Sequence, residues 1–343
     1  MGIERFFSSI EENNITNLES SFTYKIQKKL NILHLLIDFN SIIHITSSTV
    51  LSDLNYLLYQ IINKSYKANN KAKKIIADYK IKLRVDDNLS YKDIITFVTK
   101  EYLDKIILDK VEEYLLNIVT NFVDSNNLLT LYIGVDGVPN KSKMLEQRKR
   151  RYMGTIITEL KNKIFEKYED ELMKMQNRYL YEQNKFVWPK IYISPGTEFM
   201  ESLNELLYSD IFQNKLKKIC KNLKKYEYSG TNEFGEGEKK IVDYVHKYEL
   251  SNVAIYSPDS DMTLLCLLLN NYFNQVKIIR HNQQENNYDI IDIDLLRTNL
   301  YGYILNSLKI NTKNTNIKVN KVSVIDDVVF ILTIFGNDFL PKI

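Results

Sequence analysis

The chain has 343 residues, of which 44% are hydrophobic and 26% charged, and a formal net charge of +3 at pH 7. These values are typical of a globular domain, and the small net charge does not by itself indicate a nucleic-acid partner. Only Cys220 and Cys266 are present, which excludes a disulfide framework and a cysteine-rich zinc site. No apolar run reaches the ~18–20 residues that span a bilayer, and the N-terminus lacks a secretory signal. We therefore expect an intracellular protein, cytoplasmic or nuclear, with no membrane attachment.

Three apolar runs, each ending in or followed by aspartates, predict buried strands. They are Leu33–Asp38, Leu128–Asp136 and Val253–Tyr256, and we expect a loop after the first of them. The other predicted elements are, in chain order, helices within 53–123, one or two long helices over 143–181 that could form an arm, a short strand at 190–194, a helix over 198–223, a loop over 228–237 with a helix from 238, a helix over 262–269, a strand pair at 276–280 and 288–293, and a helix over 325–335. Strands that alternate with helices favour an α/β fold with a mostly parallel sheet flanked by helices.

The acids follow the predicted strands. Asp38, Asp136 and the pair Asp259 and Asp261 each come after a different apolar run. In an open α/β sheet the carboxyl ends of the strands share one edge, and ligands bind beyond it. Crowded carboxylates repel one another unless a cation neutralises them, and oxygen ligands suit Mg²⁺ or Mn²⁺.

Two glycine-rich segments supply further acids. Glu236 and Glu238 alternate with glycines, and an extended backbone there would point both side chains the same way. Asp338 lies in a Gly-Asn-Asp turn that would expose it. A single acid of this kind is more often a turn former or a helix cap. Seven acids arranged in this way predict phosphodiester hydrolysis assisted by two cations.

A basic segment follows Asp136. Residues 141–151 contain six basic residues and one acidic residue. If this segment is helical, four side chains share one face at positions i, i+4, i+7 and i+8, and they could hold a phosphate: Lys143, Gln147, Arg150 and Arg151. The alternative is a generic basic helix surface or a localisation-like patch. A base could stack on His44, although an ordinary core or surface histidine is the alternative.

Several segments together resemble the N-terminal nuclease region of the Xrn family of 5′→3′ exoribonucleases. The resemblance covers nearly the whole chain and rests on the start at residues 1–7, LIDFNSIIH (36–44), DGVPNKSKMLEQRKRRY (136–152), ISPGTEFM (193–200), GEGEKKI (235–241), SPDSDMTLL (257–265) and IDDVVFILTIFGNDFLP (325–341). It implies one nuclease domain over 1–343, of PIN or flap-endonuclease-like fold, with a projecting helical insertion around 145–188.

The resemblance also implies residue roles. Two Mg²⁺ ions, or Mn²⁺, would be bound by Asp38, Asp136, Glu236, Glu238, Asp259, Asp261 and Asp338. The 5′-monophosphate of a single-stranded RNA would be held by Lys143, Gln147, Arg150 and Arg151. His44 would stack on the first base, with Asn40 close by. The implied activity is stepwise release of mononucleotides during RNA degradation, including mRNA decay.

Some positions depart from the family pattern. Phe39 stands where a Met is common, Ser41 where a Gly is usual, and Pro258 precedes an aspartate pair that usually follows a Gly or Leu. None of these changes removes a carboxylate. The family's second conserved segment does not follow residue 341, so we expect a fragment, a truncated gene or a form that a protein partner completes. The alternatives are a flap-endonuclease-type DNA nuclease and a non-catalytic RNA 5′-end binder.

Overall fold

The computed structural model describes residues 21–82, 88–168, 171, 186–269, 275–282, 287–307 and 320–334. The chain divides into two compact units. The first contains residues 1–41, 116–146 and 204–343, and the second contains residues 42–115 and 147–203. Asp338 and most of the segment 169–185 lie outside the described residues. Among the described residues, no helix is both long and apolar enough to cross a membrane.

In the described part of the first unit, seven strands form one sheet. They are β1 (Thr23–Lys25), β2 (His34–Asp38), β3 (Thr130–Gly134), β4 (Lys225–Ser229), β5 (Val253–Tyr256), β6 (Val276–Asn282) and β7 (Asn287–Asp292). Their order is β1-β7-β6-β5-β2-β3-β4. The strands from β6 to β4 run parallel, while β7 pairs antiparallel with both β6 and β1. The prediction of a mostly parallel α/β sheet is confirmed.

The helices of the described residues have the following bounds. They are α1 (Asn40–Ile62), α2 (Asn70–Asp78), α3 (Tyr91–Phe97), α4 (Lys100–Asn121), α5 (Lys141–Lys167), α6 (Glu198–Tyr208), α7 (Asp210–Ile219), α8 (Gly237–Tyr248), α9 (Asp261–Leu268), α10 (Ile293–Ser307) and α11 (Lys321–Ile334), with a 3-10 turn at Lys190–Tyr192. In the first unit, α8 to α11 pack with the sheet around one apolar core.

The central strands are buried because both faces of the sheet are covered. Every residue of β3 and of β5 is buried, and so are the last four residues of β2. Continuous apolar runs of this kind are typical of parallel strands between two helical layers. This is why the sequence alone located β5 with its observed bounds.

The strand order places a natural binding crevice beside β2. Strands β3 and β4 lie on one side of β2, and β5 and β6 lie on the other. The register pairs Asp38 with Gly134 and Ile37 with Tyr256, so the three strands end at about the same level. Ligands of open α/β sheets bind beyond the carboxyl ends at such a reversal of strand order. The acids that follow the three strands therefore emerge at one edge.

The second unit has a core of its own. Its buried side chains come mainly from α1, α4 and the segment before the 3-10 turn, and they include Leu54, Leu58, Ile107, Val111 and Trp188. The Trp188 indole Nε1 donates to Asp104 Oδ1 at 2.6 Å. This hydrogen bond holds the segment before the 3-10 turn against α4.

Two predicted elements near the ends of strands were wrong. The region after β2 is not a loop, because α1 begins at Asn40 and buries Ile42, Ile43 and Val50 at helical spacing. The segment over 228–237 is not entirely a loop, because β4 includes Tyr228 and Ser229. The alternating Lys-Tyr-Glu-Tyr-Ser sequence of β4 is that of a half-buried edge strand, and its pairing with β3 is a long-range contact.

Two further differences have local causes. The predicted strand at 190–194 is a 3-10 turn, where Thr197 Oγ1 donates to the carbonyls of Tyr192 and Ser194 and closes the chain on itself. The predicted helix over 198–223 is broken between α6 and α7. Ser209 Oγ accepts a hydrogen bond from the Phe212 amide and caps the start of α7.

The buried Arg297, on α10, binds the C-terminal end of α9. The Arg297 guanidinium is 1% exposed and donates to the carbonyls of Cys266 and Leu267, and at 3.0 Å to Asp294 Oδ1. Asp294 Oδ2 in turn accepts the backbone amides of Gln275 and Val276. Helix α9 is thus tied to α10 and to the start of β6.

Replacing Arg297 with Met should lower the free energy of unfolding by about 2–4 kcal/mol, because it removes the side-chain donor of two buried carbonyls and the ion pair with Asp294. Urea unfolding followed by circular dichroism measures this. The control is Arg148→Met, at an exposed position of α5, for which the expected change is within about 0.5 kcal/mol. Equal stability of the two variants would contradict a structural role for Arg297.

Candidate functional site

Asp38, at the carboxyl end of β2, is held by a buried serine. Asp38 Oδ2 accepts a hydrogen bond of 3.0 Å from Ser257 Oγ, and Ser257 is fully buried. The same oxygen of Ser257 accepts the Asp259 amide at 3.2 Å. Ser257 therefore connects the acid that ends β2 with the acid-bearing loop after β5.

Asp136, two residues beyond β3, has both carboxylate oxygens fixed. Its Oδ2 accepts from Asn40 Nδ2 at 2.9 Å, and its Oδ1 accepts from the Gly237 amide at 2.7 Å. The Asp136 amide donates back to Asn40 Oδ1 at 3.1 Å. The described contacts of the Asn40 side chain thus position Asp136. That Asn40 lies beside the first base of the RNA stays a prediction.

The start of α8 lies very close to the ends of β2 and β3. A Cβ atom on Gly237 would lie 2.9 Å from the Gly134 carbonyl oxygen, and 3.3 and 3.4 Å from carboxylate oxygens of Asp38 and Asp136. No side chain larger than hydrogen fits without displacing the backbone. Glycine at position 237 therefore allows the helix to begin between two aspartates.

Glu236 and Glu238 do not lie on one extended segment, as the sequence predicted. Glu236 is the extended residue before α8, with φ −77° and ψ 148°, whereas Glu238 belongs to the first helical turn. Glu236 Oε2 lies 3.0 Å from Lys143 Nζ, and both side chains are largely shielded from solvent. Lys143 therefore forms an ion pair with Glu236.

The electrostatics of Glu238 show that it belongs to a carboxylate cluster. Burial, followed by repulsion from three aspartates, raises the pKa of Glu238 to about 9, and Lys143 opposes this shift. The three aspartates are Asp38, Asp259 and Asp261. Glu238, in the first turn of α8, is thus repelled by the acids of β2 and of the loop after β5.

Asp38 is perturbed in the same direction. Burial and repulsion from Asp136 raise the pKa of Asp38 to about 8, with a smaller contribution from Asp259, while the hydrogen bond from Ser257 lowers it. A cation placed among these acids would relieve their repulsion. In the described ranges, however, no group of three or more acidic, histidine or cysteine side chains is arranged so that it could hold a metal ion.

The first unit therefore brings together most of the predicted acidic set. The members that lie in the described residues form the carboxylate cluster: Asp38, Asp136, Glu236, Glu238, Asp259 and Asp261. Asn40 contacts Asp136, and Lys143 contacts Glu236. Asp338 lies outside the described residues.

The rest of the predicted phosphate set lies in the second unit. Gln147, Arg150 and Arg151 are on α5, the same continuous helix as Lys143, so the helical spacing assumed from the sequence holds. His44 lies on α1 and keeps an exposed surface. Partial burial, then the charges of Lys190 and Arg150, lower the pKa of His44 to about 4. Its imidazole is therefore uncharged at neutral pH.

Sequence reasoning missed three residues of these sites. Ser257, the first residue of the SPDSDMTLL segment, and Lys190 were assigned no role, because no local pattern predicts which distant residues they contact. Lys240 lies within the GEGEKKI segment and would ordinarily be solvated, yet it is buried. Its Nζ donates to the carbonyls of Val135 and Gly230 at 2.8 and 2.9 Å, and burial lowers the pKa of Lys240. It fixes the backbone next to Asp136.

A parallel sheet that presents acids from three neighbouring strands and a helix start is an α/β fold of the PIN-like nuclease class. The model of the family described as "XRN 5′-3′ exonuclease N-terminus" matches residues 83–282, which is more than half of the chain. The chain belongs to this family.

Three relatives show how the match is distributed. A mimivirus protein (Acanthamoeba polyphaga mimivirus), provisionally named a 5′-3′ exonuclease, is 38% identical over 195 residues, which cover 54% of this chain and 30% of the relative. An uncharacterised protein of the same virus is 31% identical over 161 residues, which cover 44% of this chain and 100% of the relative. The 5′-3′ exoribonuclease 1 of Saccharomyces cerevisiae is 26% identical over 267 residues, which cover 72% of this chain and 16% of the relative. The chain thus spans less than a third of the length of the first and third of these relatives.

The raised pKa of Glu238 predicts an unusual pH dependence in the presence of a chelator. The folded protein retains a proton that the unfolded chain releases near pH 4.5, so stability should fall as the pH rises from about 5 to 9. Glu238→Gln removes the repelled charge and should flatten this dependence. At about pH 8 it should raise the free energy of unfolding by about 1.4 kcal/mol or more, the equivalent of one pKa unit.

Urea unfolding in EDTA at several pH values measures both effects. The control is Asp243→Asn, an exposed carboxylate on the same helix that pairs with Lys239 and should give no gain. A Glu238→Gln variant less stable than the parent protein at the higher pH would show that the acids do not repel one another.

Proposed function

We propose that this chain is a metal-dependent 5′→3′ exoribonuclease that hydrolyses 5′-monophosphorylated single-stranded RNA to mononucleotides. The observation that carries the proposal is the electrostatically strained carboxylate cluster at the edge of the sheet, in a member of the XRN family. Relatives named 5′-3′ exoribonucleases support RNA as the substrate and the 5′ end as the starting point.

The acids fit Mg²⁺, with Mn²⁺ as an alternative, because they offer only hard oxygen ligands. The six described acids of the cluster, together with Asp338, would hold two ions. Burial and repulsion from neighbouring acids raise the pKa values of Asp38 and Glu238, and a cation would favour the ionised forms of both. Bound ions would supply an activated water and stabilisation of the leaving oxygen.

The hydrogen bonds around the acids support catalysis by preorganising them. Asp136 is oriented by Asn40 and by the Gly237 amide, and Asp38 is oriented by Ser257. Partners that fix the orientation of ligand carboxylates reduce the reorganisation needed when a cation and a substrate bind. The cluster is therefore better suited to a ligand site than to a solvated surface.

The basic face of α5 suits a terminal phosphate. Lys143, Gln147, Arg150 and Arg151 would bind the 5′-monophosphate through charge-assisted hydrogen bonds. The Lys143–Glu236 ion pair supports this assignment, because it places the first of these cations at the edge of the acidic cluster. The neutral ring of His44 could stack on a base.

The first test of the proposal compares RNAs that differ only at the 5′ end. With Mg²⁺, 5′-monophosphate RNA labelled at its 3′ end should be degraded at least about tenfold faster than 5′-hydroxyl RNA, since each charge-assisted contact contributes about 1.5–3 kcal/mol. Lys143→Met should remove most of this preference. Lys149→Met, on another face of α5, is the control and should retain it.

Equal rates on the two RNAs would refute the phosphate assignment. Cleavage of flap DNA with inert single-stranded RNA would favour the DNA nuclease instead. Tight binding of 5′-phosphate RNA without hydrolysis at any Mg²⁺ or Mn²⁺ concentration would identify an RNA-end binder.

The second test concerns the cation. Mg²⁺ should raise the melting temperature more at about pH 8.5 than at about pH 6, because the cation has to displace protons from acids with raised pKa. Asp38→Asn should weaken Mg²⁺ binding at least about tenfold, measured by calorimetry, because it removes a ligand charge. Asp243→Asn is the control. An unchanged Mg²⁺ affinity in Asp38→Asn would remove Asp38 from the proposed ligand set.

A further inference from the structure

We propose that Phe234 is a stacking platform for one nucleobase of a single-stranded RNA at the rim of the carboxylate cluster. This inference rests on the proposed function for the nature of the substrate. Phe234 is 71% exposed and lies in the loop between β4 and α8, two residues before Glu236. Nothing in the sequence patterns assigned it a role.

The loop that carries Phe234 is held firmly on both sides of the ring. On one side, Glu233 Oε2 accepts from Ser229 Oγ at 2.6 Å, and the Glu233 amide donates to the Gly230 carbonyl. On the other side, the Gly235 amide donates to the Val138 carbonyl at 3.1 Å. The backbone on both sides of Phe234 is therefore held by hydrogen bonds.

Two glycines show that this loop is built against the segment that carries Asp136. A Cβ atom on Gly137 would lie 1.7 Å from the Glu233 carbonyl oxygen, so only glycine permits the contact. Gly235 has φ +108°, a conformation that side chains disfavour, and its carbonyl accepts the Gly137 amide at 2.9 Å. Phe234 thus lies on the same pair of joined loops as Asp136 and Glu236.

The size and chemistry of this rim suit a base better than a protein. On these two joined loops, Phe234 and Val138 are the large apolar side chains left exposed, at 71% and 50%. A stable protein interface needs about 1,200–2,000 Å² of buried surface, far more than two side chains provide. Stacking of a base on one aromatic ring needs only the ring, and it tolerates any sequence because every base has a π-face. Such tolerance suits an enzyme that acts on successive nucleotides.

The experiment measures binding of a short 5′-monophosphorylated oligoribonucleotide by fluorescence anisotropy, with Ca²⁺ in place of Mg²⁺ to suppress hydrolysis. Phe234→Ala should raise the Kd about 5- to 150-fold, the range expected for loss of one base–aromatic stack. Phe234→Tyr should bind like the parent protein. Phe234→Leu, which is apolar but has no ring, should lose most of the affinity. Ile211→Ala, at a residue 72% exposed on α7, is the matched control and should have no effect.

Abasic RNAs identify the base. In the parent protein, an abasic substitution at one position should weaken binding as much as Phe234→Ala does. In Phe234→Ala the same substitution should cost nothing further, because the two changes remove one contact. In Phe234→Trp, RNA should quench an additional tryptophan emission relative to the parent protein, whose single tryptophan, Trp188, is buried.

An affinity of Phe234→Ala within twofold of the parent protein, or additive losses with an abasic residue at every position, would overturn the platform. An unchanged RNA affinity with altered self-association of the chain would likewise overturn it, in favour of a protein contact. The proposed function fails separately, if the parent protein binds 5′-phosphate RNA in Ca²⁺ but does not hydrolyse it in Mg²⁺.

Discussion

The candidate site depends on one close approach, that of Gly237 to the carboxyl ends of β2 and β3. The Gly237 amide donates to Asp136, and the missing Cβ leaves just enough room for the Gly134 carbonyl and for Asp38. This contact places the start of α8 among the strand-end acids, and so adds Glu238 to them. The raised pKa of Glu238 follows from that placement, through burial and repulsion from Asp38, Asp259 and Asp261.

Crowding of these acids has a free-energy cost, and the surrounding residues offset part of it. Ser257 and Asn40 donate to two aspartates, while Lys143 pairs with Glu236. Because these partners do not neutralise all of the acids, the proposed cations would relieve the repulsion that remains.

Two buried cations, Lys240 and Arg297, donate mainly to backbone carbonyls. Lys240 donates to two backbone carbonyls next to the Asp136 segment, and Arg297 donates to the last carbonyls of α9, whose first residue is Asp261. Buried charges are tolerated when such partners satisfy them. Both residues therefore hold the backbone that carries acids of the cluster, and neither is visible as a functional residue in the sequence.

The sequence by itself determined the α/β class, the bounds of β5, the helical spacing of the basic residues on α5 and the family, because these follow from local periodicity and from ordered motifs. Only the tertiary structure decided that β4 pairs with β3, that Glu236 and Glu238 lie on either side of a helix start, and that Asn40 and Ser257 hold acids. It also decided that the ring of Phe234 stays exposed. Each of these features depends on contacts between segments far apart in the chain, such as Ser257 with Asp38 and Gly237 with Asp136. Local propensity carries no information about such contacts, because their free energy arises only when the strands come together in register.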